Sequence, residues 1–228
     1  NKRIIIWDFE TGDFLKILSG HEDVIWEIDI SPCDSFLVST SADKTAKIWN
    51  IDTGECIRTL RGHTNRIYSV TFSPDGKSIA TASADGSVRV WDTHSGKCIH
   101  ILKGHSEKVW AVRFSQDGNF ISSGSRDKTI KIWSFNTGEC LKTLGGGTDN
   151  INCFAFSSKD NLLASAGHDK IIKIWNFESG ECLLTLEGHS SRINSLAFDS
   201  ENYWLLSGGS DSLVKIWDLN TQTCIKEF

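Results

Sequence analysis

Residues 123–133 read Ser-Gly-Ser-Arg-Asp-Lys-Thr-Ile-Lys-Ile-Trp, and this pattern recurs every 42 residues along the 228-residue chain. The tryptophan that ends the pattern falls at Trp7, Trp49, Trp91, Trp133, Trp175 and Trp217. Six residues before each tryptophan from Trp49 onward stands an aspartate: Asp43, Asp85, Asp127, Asp169 and Asp211. A period of this length is typical of supersecondary units that stack on one another.

A Gly-His pair stands 22 residues before four of these aspartates, counted from the histidine, and its histidines are His21, His63, His105 and His189. In the fourth copy Gly146-Gly147 takes its place. The repeat therefore predicts one array rather than separate domains, although the length alone allows two.

Composition narrows the classes of partner. The net charge is −5, which argues against nonspecific nucleic-acid binding through a broadly basic face, though less against a local basic patch. No apolar run reaches the length of about 18 residues that a membrane span needs, and no signal-peptide pattern opens the chain. We therefore expect a soluble protein with no membrane partner.

Five of the seven cysteines are also 42 residues apart: Cys56, Cys98, Cys140, Cys182 and Cys224. Equivalent positions in separate units do not meet, so we expect no disulfide framework and interpret each thiol as a small buried apolar group. The absence of a Cys-x-x-Cys pair in the sequence argues against a metal site. Free thiols favour a reducing intracellular compartment, cytoplasmic or nuclear.

Within one unit, residues 104–145, the residue types predict four antiparallel strands. Residues 108–114 alternate apolar and polar, as a half-buried strand does, and Asp117-Gly118 is suited to a tight hairpin turn. In the third strand Ile132 and Trp133 are adjacent, so both faces of the sheet carry a large apolar side chain. Such a sheet must be covered on both sides, which predicts an all-β stack of sheets closed radially.

The order Gly-His, then Ser/Thr-x-x-x-Asp, then Trp-Asp or a variant resembles the WD-repeat β-propeller family over the whole chain. The resemblance implies four-stranded antiparallel blades, five of them full, plus a two-strand half-blade that lacks its first and second strands. The expected divisions are 1–18 for the half-blade and 19–60, 61–102, 103–144, 145–186 and 187–228 for the blades. Because the family usually closes with about seven blades, we expect a segment of a larger propeller; a partner that supplies the missing strands is the alternative.

In that family a histidine, a serine or threonine, an aspartate and the tryptophan form a hydrogen-bonded tetrad in each blade. The resemblance implies four complete tetrads: His21, Ser39, Asp43, Trp49; His63, Thr81, Asp85, Trp91; His105, Ser123, Asp127, Trp133; and His189, Ser207, Asp211, Trp217. The fourth blade retains Ser165, Asp169 and Trp175, but Gly147 replaces the histidine. We predict that this blade is locally looser or holds a water in the gap.

Since the repeated polar residues are explained by folding, function is expected where the copies differ. The resemblance implies that three variable positions line the rim of the upper face, around the central channel. The expected protein-binding residues at these positions are Trp26, Arg66, Tyr68, Lys108, Trp110, Arg126, Asn152, His168, Arg192 and Asn194. Aromatic anchors beside arginine are typical of interaction hot spots, and the positive charge favours an acidic or phosphorylated partner. The alternative is that the large residues merely plug the channel.

The sequence therefore predicts a noncatalytic scaffold or sensor that binds a protein or peptide, with no catalytic residue, cofactor or metal. Such arrays resemble the sensor portions of large signalling ATPases. A nucleic-acid reader that uses the basic rim with stacking aromatics is one alternative. An enzyme that uses the channel is another, but each Ser, His and Asp set recurs at equivalent places beside a core tryptophan. The opposite face, built from Asp-Gly and Thr-Gly turns, singles out no site.

Overall fold

The computed structural model describes residues 2–145, 149–157, 161–201 and 203–228. The regular secondary structure of these residues consists of β-strands without helices, and the strands form one two-stranded sheet and five four-stranded sheets. All pairings are antiparallel between strands that follow one another in the chain. The expectation of an all-β protein built from four-stranded antiparallel blades is confirmed.

The strands have the following bounds. The half-blade contains β1 (Arg3–Trp7) and β2 (Phe14–Ser19). The first blade contains β3 (Ile25–Ile30), β4 (Phe36–Ser41), β5 (Thr45–Asn50) and β6 (Cys56–Arg61). The second contains β7 (Ile67–Phe72), β8 (Ser78–Ser83), β9 (Ser87–Asp92) and β10 (Cys98–Lys103). The third contains β11 (Val109–Phe114), β12 (Phe120–Ser125), β13 (Thr129–Ser134) and β14 (Cys140–Gly145). The fourth contains β15 (Ile151–Phe156), β16 (Leu162–Gly167), β17 (Ile171–Asn176) and β18 (Cys182–Glu187). The fifth contains β19 (Ile193–Phe198), β20 (Trp204–Gly209), β21 (Val214–Asp218) and β22 (Thr223–Glu227).

The hydrophobic core lies in layers between successive sheets. One layer joins the second blade to the third and contains Trp133, and the next joins the third blade to the fourth and contains Ile132. These two adjacent residues of β13 are 1% and 2% exposed, so a neighbouring blade covers each face of the strand. Burial of an aliphatic or aromatic side chain contributes about 1.5–3 kcal/mol, so blade-to-blade packing is the main source of stability.

The first strand of each blade is the innermost one. Strand β7 contacts β3, β11 contacts β7, β15 contacts β11, and β19 contacts β15. These five strands therefore form a common inner wall. We call the blade ends that carry the Gly-His loops and the tetrad aspartates the upper face, and the ends that carry the Asp-Gly and Thr-Gly turns the lower face.

The two ends of the array present apolar side chains to solvent. Ile28 and Ile30 of the first blade are 46% and 50% exposed, whereas their equivalents Val70 and Phe72 are 1% and 6% exposed. At the other end, Leu206 and Val214 are 37% and 43% exposed. The half-blade covers the neighbouring Leu37 and Trp49 through Ile4 and Leu18, but it leaves Ile28 and Ile30 uncovered.

The interpretation of the five repeated cysteines as buried groups is wrong. Each begins the fourth strand of a blade, or stands next to its start. Four of them are exposed and the fifth is half-buried, all with free thiols: Cys56, Cys98, Cys140, Cys182 and Cys224. The cause is topological, because the fourth strand is the outermost of its sheet, whereas the first strand, also an edge strand, packs against the first strands of the neighbouring blades. Cys153, on an inner strand, is the buried one, and burial raises the pKa of its thiol to about 12.

Candidate functional site

Each inner strand carries a β-bulge at its second residue. In the first blade Ile25 pairs with Ser41 and Glu27 pairs with Thr40, which leaves Trp26 as the extra residue. The same shift occurs in the other four blades and makes the extra residues Tyr68, Trp110, Asn152 and Asn194. A bulge re-aims the side chain of its extra residue and is common beside binding sites. The same β-bulge therefore positions the side chain of the second inner-strand residue in all five blades.

The three aromatic bulge residues form a continuous stack over three adjacent blades. The Tyr68 and Trp110 rings are stacked, with centroids 4.2 Å apart and planes 26° apart, and the Trp26 ring meets Tyr68 edge-on at 5.3 Å. Tyr68 and Trp110 are half-buried, but 48% of the Trp26 surface stays exposed. With Asn152 and Asn194 the rings line a cavity of about 520 Å³ bounded by the inner strands. They line an open space and are not enclosed between blades.

The other two variable positions lie at the same end of each blade but outside the cavity wall. Their backbones are hydrogen-bonded to one another across the upper turn, as in Arg126 N to Lys108 O at 2.9 Å and His168 N to Asn150 O at 3.0 Å. Arg66, Arg126 and Arg192 are exposed, whereas Lys108 and His168 are half-buried. Arg192 and Asn194 both donate to Ser210 Oγ, at 3.0 and 2.8 Å. Of the three variable positions, the one with the aromatic residues thus lies on the cavity wall, and the two with Arg66, Lys108, Arg126 and Arg192 lie outside it.

Four blades hold a complete tetrad at the upper face. In the third blade Trp133 Nε1 donates to Ser123 Oγ at 2.8 Å, the hydroxyl lies 2.8 Å from His105 Nε2, and His105 Nδ1 lies 2.8 Å from Asp127 Oδ2. The corresponding distances in the other three blades are 2.7–2.9 Å. The groups of each tetrad are bonded to one another.

A protein-family model matches this chain five times, once for each copy of the 42-residue repeat. The model for the WD domain, G-beta repeat, matches residues 12–50, 54–92, 96–134, 138–176 and 180–218.

The chain belongs to the WD40 repeat family.

Each matched repeat begins with the outer strand of one blade and ends with the third strand of the next, so every repeat ties two neighbouring WD40 blades together. Among curated proteins, the Periodic tryptophan protein 2 homolog of Caenorhabditis elegans is 54% identical over 44 residues. That match covers 19% of this chain and only 5% of the relative. WD40 repeats in general build protein-interaction scaffolds, and WD40 propellers are generally not enzymes.

In the first blade the hydrogen bonds and the burial of the WD40 tetrad determine the protonation states of His21 and Asp43. An ionised aspartate can only accept, so His21 Nδ1 must donate to Asp43, and its Nε2 is left to accept from the Ser39 hydroxyl. Burial lowers the pKa of His21, and the Asp43 carboxylate opposes this only in part. Burial also acts to raise the pKa of Asp43, but hydrogen bonds from Thr45, Glu22 N and His21 outweigh it and hold that pKa at about 2. The tetrad is therefore a neutral imidazole on an ionised carboxylate.

In the fourth blade Trp175 Nε1 still donates to Ser165 Oγ at 2.8 Å. Gly147, which replaces the histidine in the sequence, lies outside the described residues, so the prediction of a looser blade stays a prediction at that residue. In the same blade Ser165, Asp169 and Trp175 line a cavity of about 10 Å³. A cavity of that size is close to the least that a single water needs.

The inner wall contains charged residues that the sequence analysis missed. Arg113 Nη2 donates to Glu27 Oε1 at 2.8 Å, although the two residues belong to the third and first blades. Glu27 Oε2 accepts from Val70 N at 2.8 Å, and Arg113 also reaches Ser69 Oγ at 3.1 Å, so the second blade is tied in as well. A comparison of equivalent inner-strand positions could have found Arg113, because Asp29, Thr71, Ala155 and Ala197 stand in its place in the other blades.

Among the described residues, no group of three or more histidine, cysteine, aspartate or glutamate side chains is arranged to hold a metal ion. No helix in that part of the chain has the length and apolar character needed to cross a membrane.

Proposed function

We propose that this chain is a noncatalytic scaffold that captures a peptide or protein segment at the aromatic stack of Trp26, Tyr68 and Trp110 on its upper face. The observation that carries the proposal is the shared bulge position. Since Asn152 and Asn194 serve at that position in two blades, folding does not require a ring there. The indole nitrogen of Trp110 is buried without a hydrogen-bond partner among the described residues, which costs about 1–3 kcal/mol. Stability alone therefore does not account for the three rings.

The chemistry of the stack and its surroundings favours a partner with an apolar group next to negative charge. Exposed tryptophan and tyrosine beside arginine are the residue types enriched in interaction hot spots. Arg66, Arg126 and Arg192 stand exposed around the cavity, so an acidic or phosphorylated segment would meet charge-assisted donors. The inner wall itself is neutral where Glu27 and Arg113 pair, which favours an uncharged side chain in the cavity and the negative group at the rim.

A noncatalytic role agrees with how the polar residues are used. The hydroxyl of each complete tetrad is 0–2% exposed and accepts from a core tryptophan, so a substrate would have no access to it. We also propose that the array is part of a larger propeller, since the exposed Ile28, Ile30, Leu206 and Val214 correspond to buried residues elsewhere in the array. An intracellular location is proposed on the free, exposed thiols.

Selection from a random-peptide phage library on the purified chain tests the upper face. Peptides enriched on the native chain should bind the Trp26→Ala variant at least about tenfold more weakly, the loss expected at a hot spot. They should also weaken on Arg126→Ala. The matched control is Trp204→Ala, because Trp204 is 47% exposed and Trp26 is 48% exposed, yet Trp204 does not line the cavity.

Two results would reject the proposal. One is that the selected peptides bind the Trp26→Ala and Trp204→Ala variants equally well. The other is that a single-stranded oligonucleotide binds the native chain tightly, with an affinity that falls steeply with salt and requires Trp26. That second result would make the site a nucleic-acid surface.

A further inference from the structure

A second cavity lies at the lower face, between the first and second blades. It measures about 570 Å³, and Phe36, Ile57, Thr93 and the lower turns of the second blade line it. Phe36 opens β4, Ile57 lies in the outer strand β6, and Thr93 follows the end of β9. This cavity is separate from the one that holds the aromatic stack, and no residue lines both.

The same place in the next two blade interfaces is filled by a phenylalanine of the chain itself. Phe135 and Phe177 stand 42 and 84 residues after Thr93. The Phe177 ring packs edge-on against Phe120 of the preceding blade at 5.5 Å and against Phe156 of its own blade at 5.7 Å. The Phe135 ring likewise lies 5.7 Å from Phe114. An aromatic ring therefore fills this groove in two blades, and the equivalent positions of two others hold the aliphatic Ile51 and Leu219.

Between the first and second blades the surroundings for such a ring are present without the ring. Phe36 and Phe72 correspond to Phe120 and Phe156, and both belong to the layer between these blades. The backbone at Thr93 is also equivalent, because Thr93 N donates to Lys77 O at 2.9 Å as Phe135 N donates to Asn119 O at 2.9 Å. At the position of the ring itself the short threonine side chain takes the place of phenylalanine, and it leaves the cavity open.

Thr93 stabilises the fold less than a phenylalanine at this position would. Its Oγ1 is buried and has no hydrogen-bond partner among the described residues, a cost that a phenylalanine would avoid. The corresponding groove between the fourth and fifth blades contains Leu219 at this position and has a smaller cavity of about 340 Å³. Of these two grooves, the one that contains the longer side chain, Leu219, has the smaller cavity.

The edge of the cavity is mainly basic. Lys77 and Arg58 line it, and the lysine ammonium makes only a 3.8 Å contact with the exposed Asp75. The lining carboxylate is Asp92, whose Oδ1 already accepts from Ser95 N at 2.7 Å and from Ser95 Oγ at 2.5 Å. A ligand carboxylate next to the ring would thus meet the cations Lys77 and Arg58, although Arg58 Nη1 also donates to Ile57 O at 2.7 Å. It would have to lie on the side of the groove away from Asp92 Oδ2.

We propose that this groove is a second docking site, which takes a phenylalanine side chain from a linear partner peptide with an acidic residue beside it. The partner's ring occupies the place that Phe135 and Phe177 fill from within, against Phe36 and Ile57. Its acidic neighbour pairs with Lys77 and Arg58. This proposal is independent of the upper-face site, because the two cavities share no residue.

The probe is the peptide acetyl-Gly-Asp-Phe-Asp-Gly-amide, titrated onto the chain with carbon-13 labels on the isoleucine and threonine methyl groups. We expect saturable shifts of the Ile57 and Thr93 methyl signals, and none with the same peptide carrying alanine instead of phenylalanine. In the Thr93→Phe variant the chain's own ring fills the groove. Peptide binding should then weaken at least about tenfold while the melting temperature stays equal to or above that of the native chain.

Matched controls separate this site from general effects. Leu219→Phe makes a similar change in the groove between the fourth and fifth blades and should leave the peptide-induced shift of the Ile57 methyl signal unchanged. Lys77→Ala should weaken binding several-fold in low salt. The proposal is overturned if the Thr93→Phe variant, folded by its melting curve, binds the peptide as the native chain does. It is equally overturned if the native chain shows no saturable shift up to about 5 mM peptide.

Discussion

A single hydroxyl joins two buried ring nitrogens in each complete tetrad. Ser123 Oγ accepts from the indole of Trp133 and donates to the neutral imidazole of His105, and the serine is 0% exposed. Among the described residues, Ser165 in the fourth blade bonds through its hydroxyl only to the indole of Trp175. The two serines stand at equivalent positions, so they form a natural pair for measuring what the histidine connection contributes.

Ser123→Ala should therefore destabilise the chain more than Ser165→Ala. The first substitution leaves two buried polar groups without partners, each costing about 1–3 kcal/mol, and the second leaves one. Urea unfolding followed by tryptophan fluorescence gives both free energies. Equal losses in the two variants would mean that the bond to histidine adds nothing to stability.

The tetrads also predict how stability depends on pH. Burial lowers the pKa of His21 and of His105, so the unfolded chain, with histidines near 6.5, binds more protons below that pH. Stability should be complete above about pH 6.5 and fall as the pH drops. Hydrogen bonds hold the pKa of Asp43 and of Asp211 at about 2 against the opposing effect of burial, which adds a second decline below about pH 4.

Melting temperatures measured between pH 8 and pH 3 check this prediction. The expected order is highest at pH 8, lower at pH 5 and lowest at pH 3. Burial raises the pKa of Asp29, and this single group acts in the opposite direction near pH 4. The His105→Gln variant should lose part of the decline between pH 7 and pH 5. A flat profile over that interval in the native chain would contradict the neutral-imidazole assignment.

At the scale of the element, the glycine of each Gly-His pair adopts a backbone conformation that other residues rarely adopt, and it leaves room for the tryptophan ring below it. Gly104 has φ +157°, in the region that only glycine adopts readily, and a Cβ there would lie 3.3 Å from the Trp133 ring. The loop must turn into the next blade directly over the tryptophan that the tetrad holds. Sequence periodicity shows that a glycine recurs there, and the structure supplies the physical reason.

Gly104→Ala should lower the free energy of unfolding by about 1–3 kcal/mol, from backbone strain and from displacement of the Trp133 ring. Gly145→Ala is the matched control, because Gly145 ends β14 with an ordinary φ and no described residue would lie within 4 Å of an added Cβ. The control should change stability by less than about 0.5 kcal/mol. Urea midpoints of the two variants decide, and a similar loss in both would contradict the packing argument.

Strand content was predictable because alternation and turn residues are local properties. The bulges at Trp26 and its equivalents were not, since a bulge is a mismatch between two strands and leaves the alternation of one strand almost unchanged. The cysteines were misjudged for a related reason: Cys140 stands beside apolar residues in sequence, but only the sheet order shows that β14 is outermost. The Thr93 groove needs both the sheet order and the contacts between blades.

At the scale of the whole molecule, the inner wall joins blades that are not adjacent. The ion pair between Glu27 and Arg113 spans from the first blade to the third, and the two side chains are 27% and 37% exposed. Backbone Val70 N and the Ser69 hydroxyl of the second blade bond to the same two side chains. The pair therefore fixes the relative positions of the three blades that carry Trp26, Tyr68 and Trp110.

A double-mutant cycle of Glu27→Gln and Arg113→Gln measures this contribution. Because the pair is partly exposed, we expect a coupling energy of a few tenths to about 1 kcal/mol in low salt, and a smaller one in roughly 1 M salt. The control cycle is Asp75→Asn with Lys77→Met, whose 3.8 Å contact lies within one exposed turn and should show almost no coupling. Loss of the pair should also weaken upper-face peptide binding, because the three rings would no longer be held in one stack. Coupling without an effect on peptide binding would mean that the pair supports the fold alone.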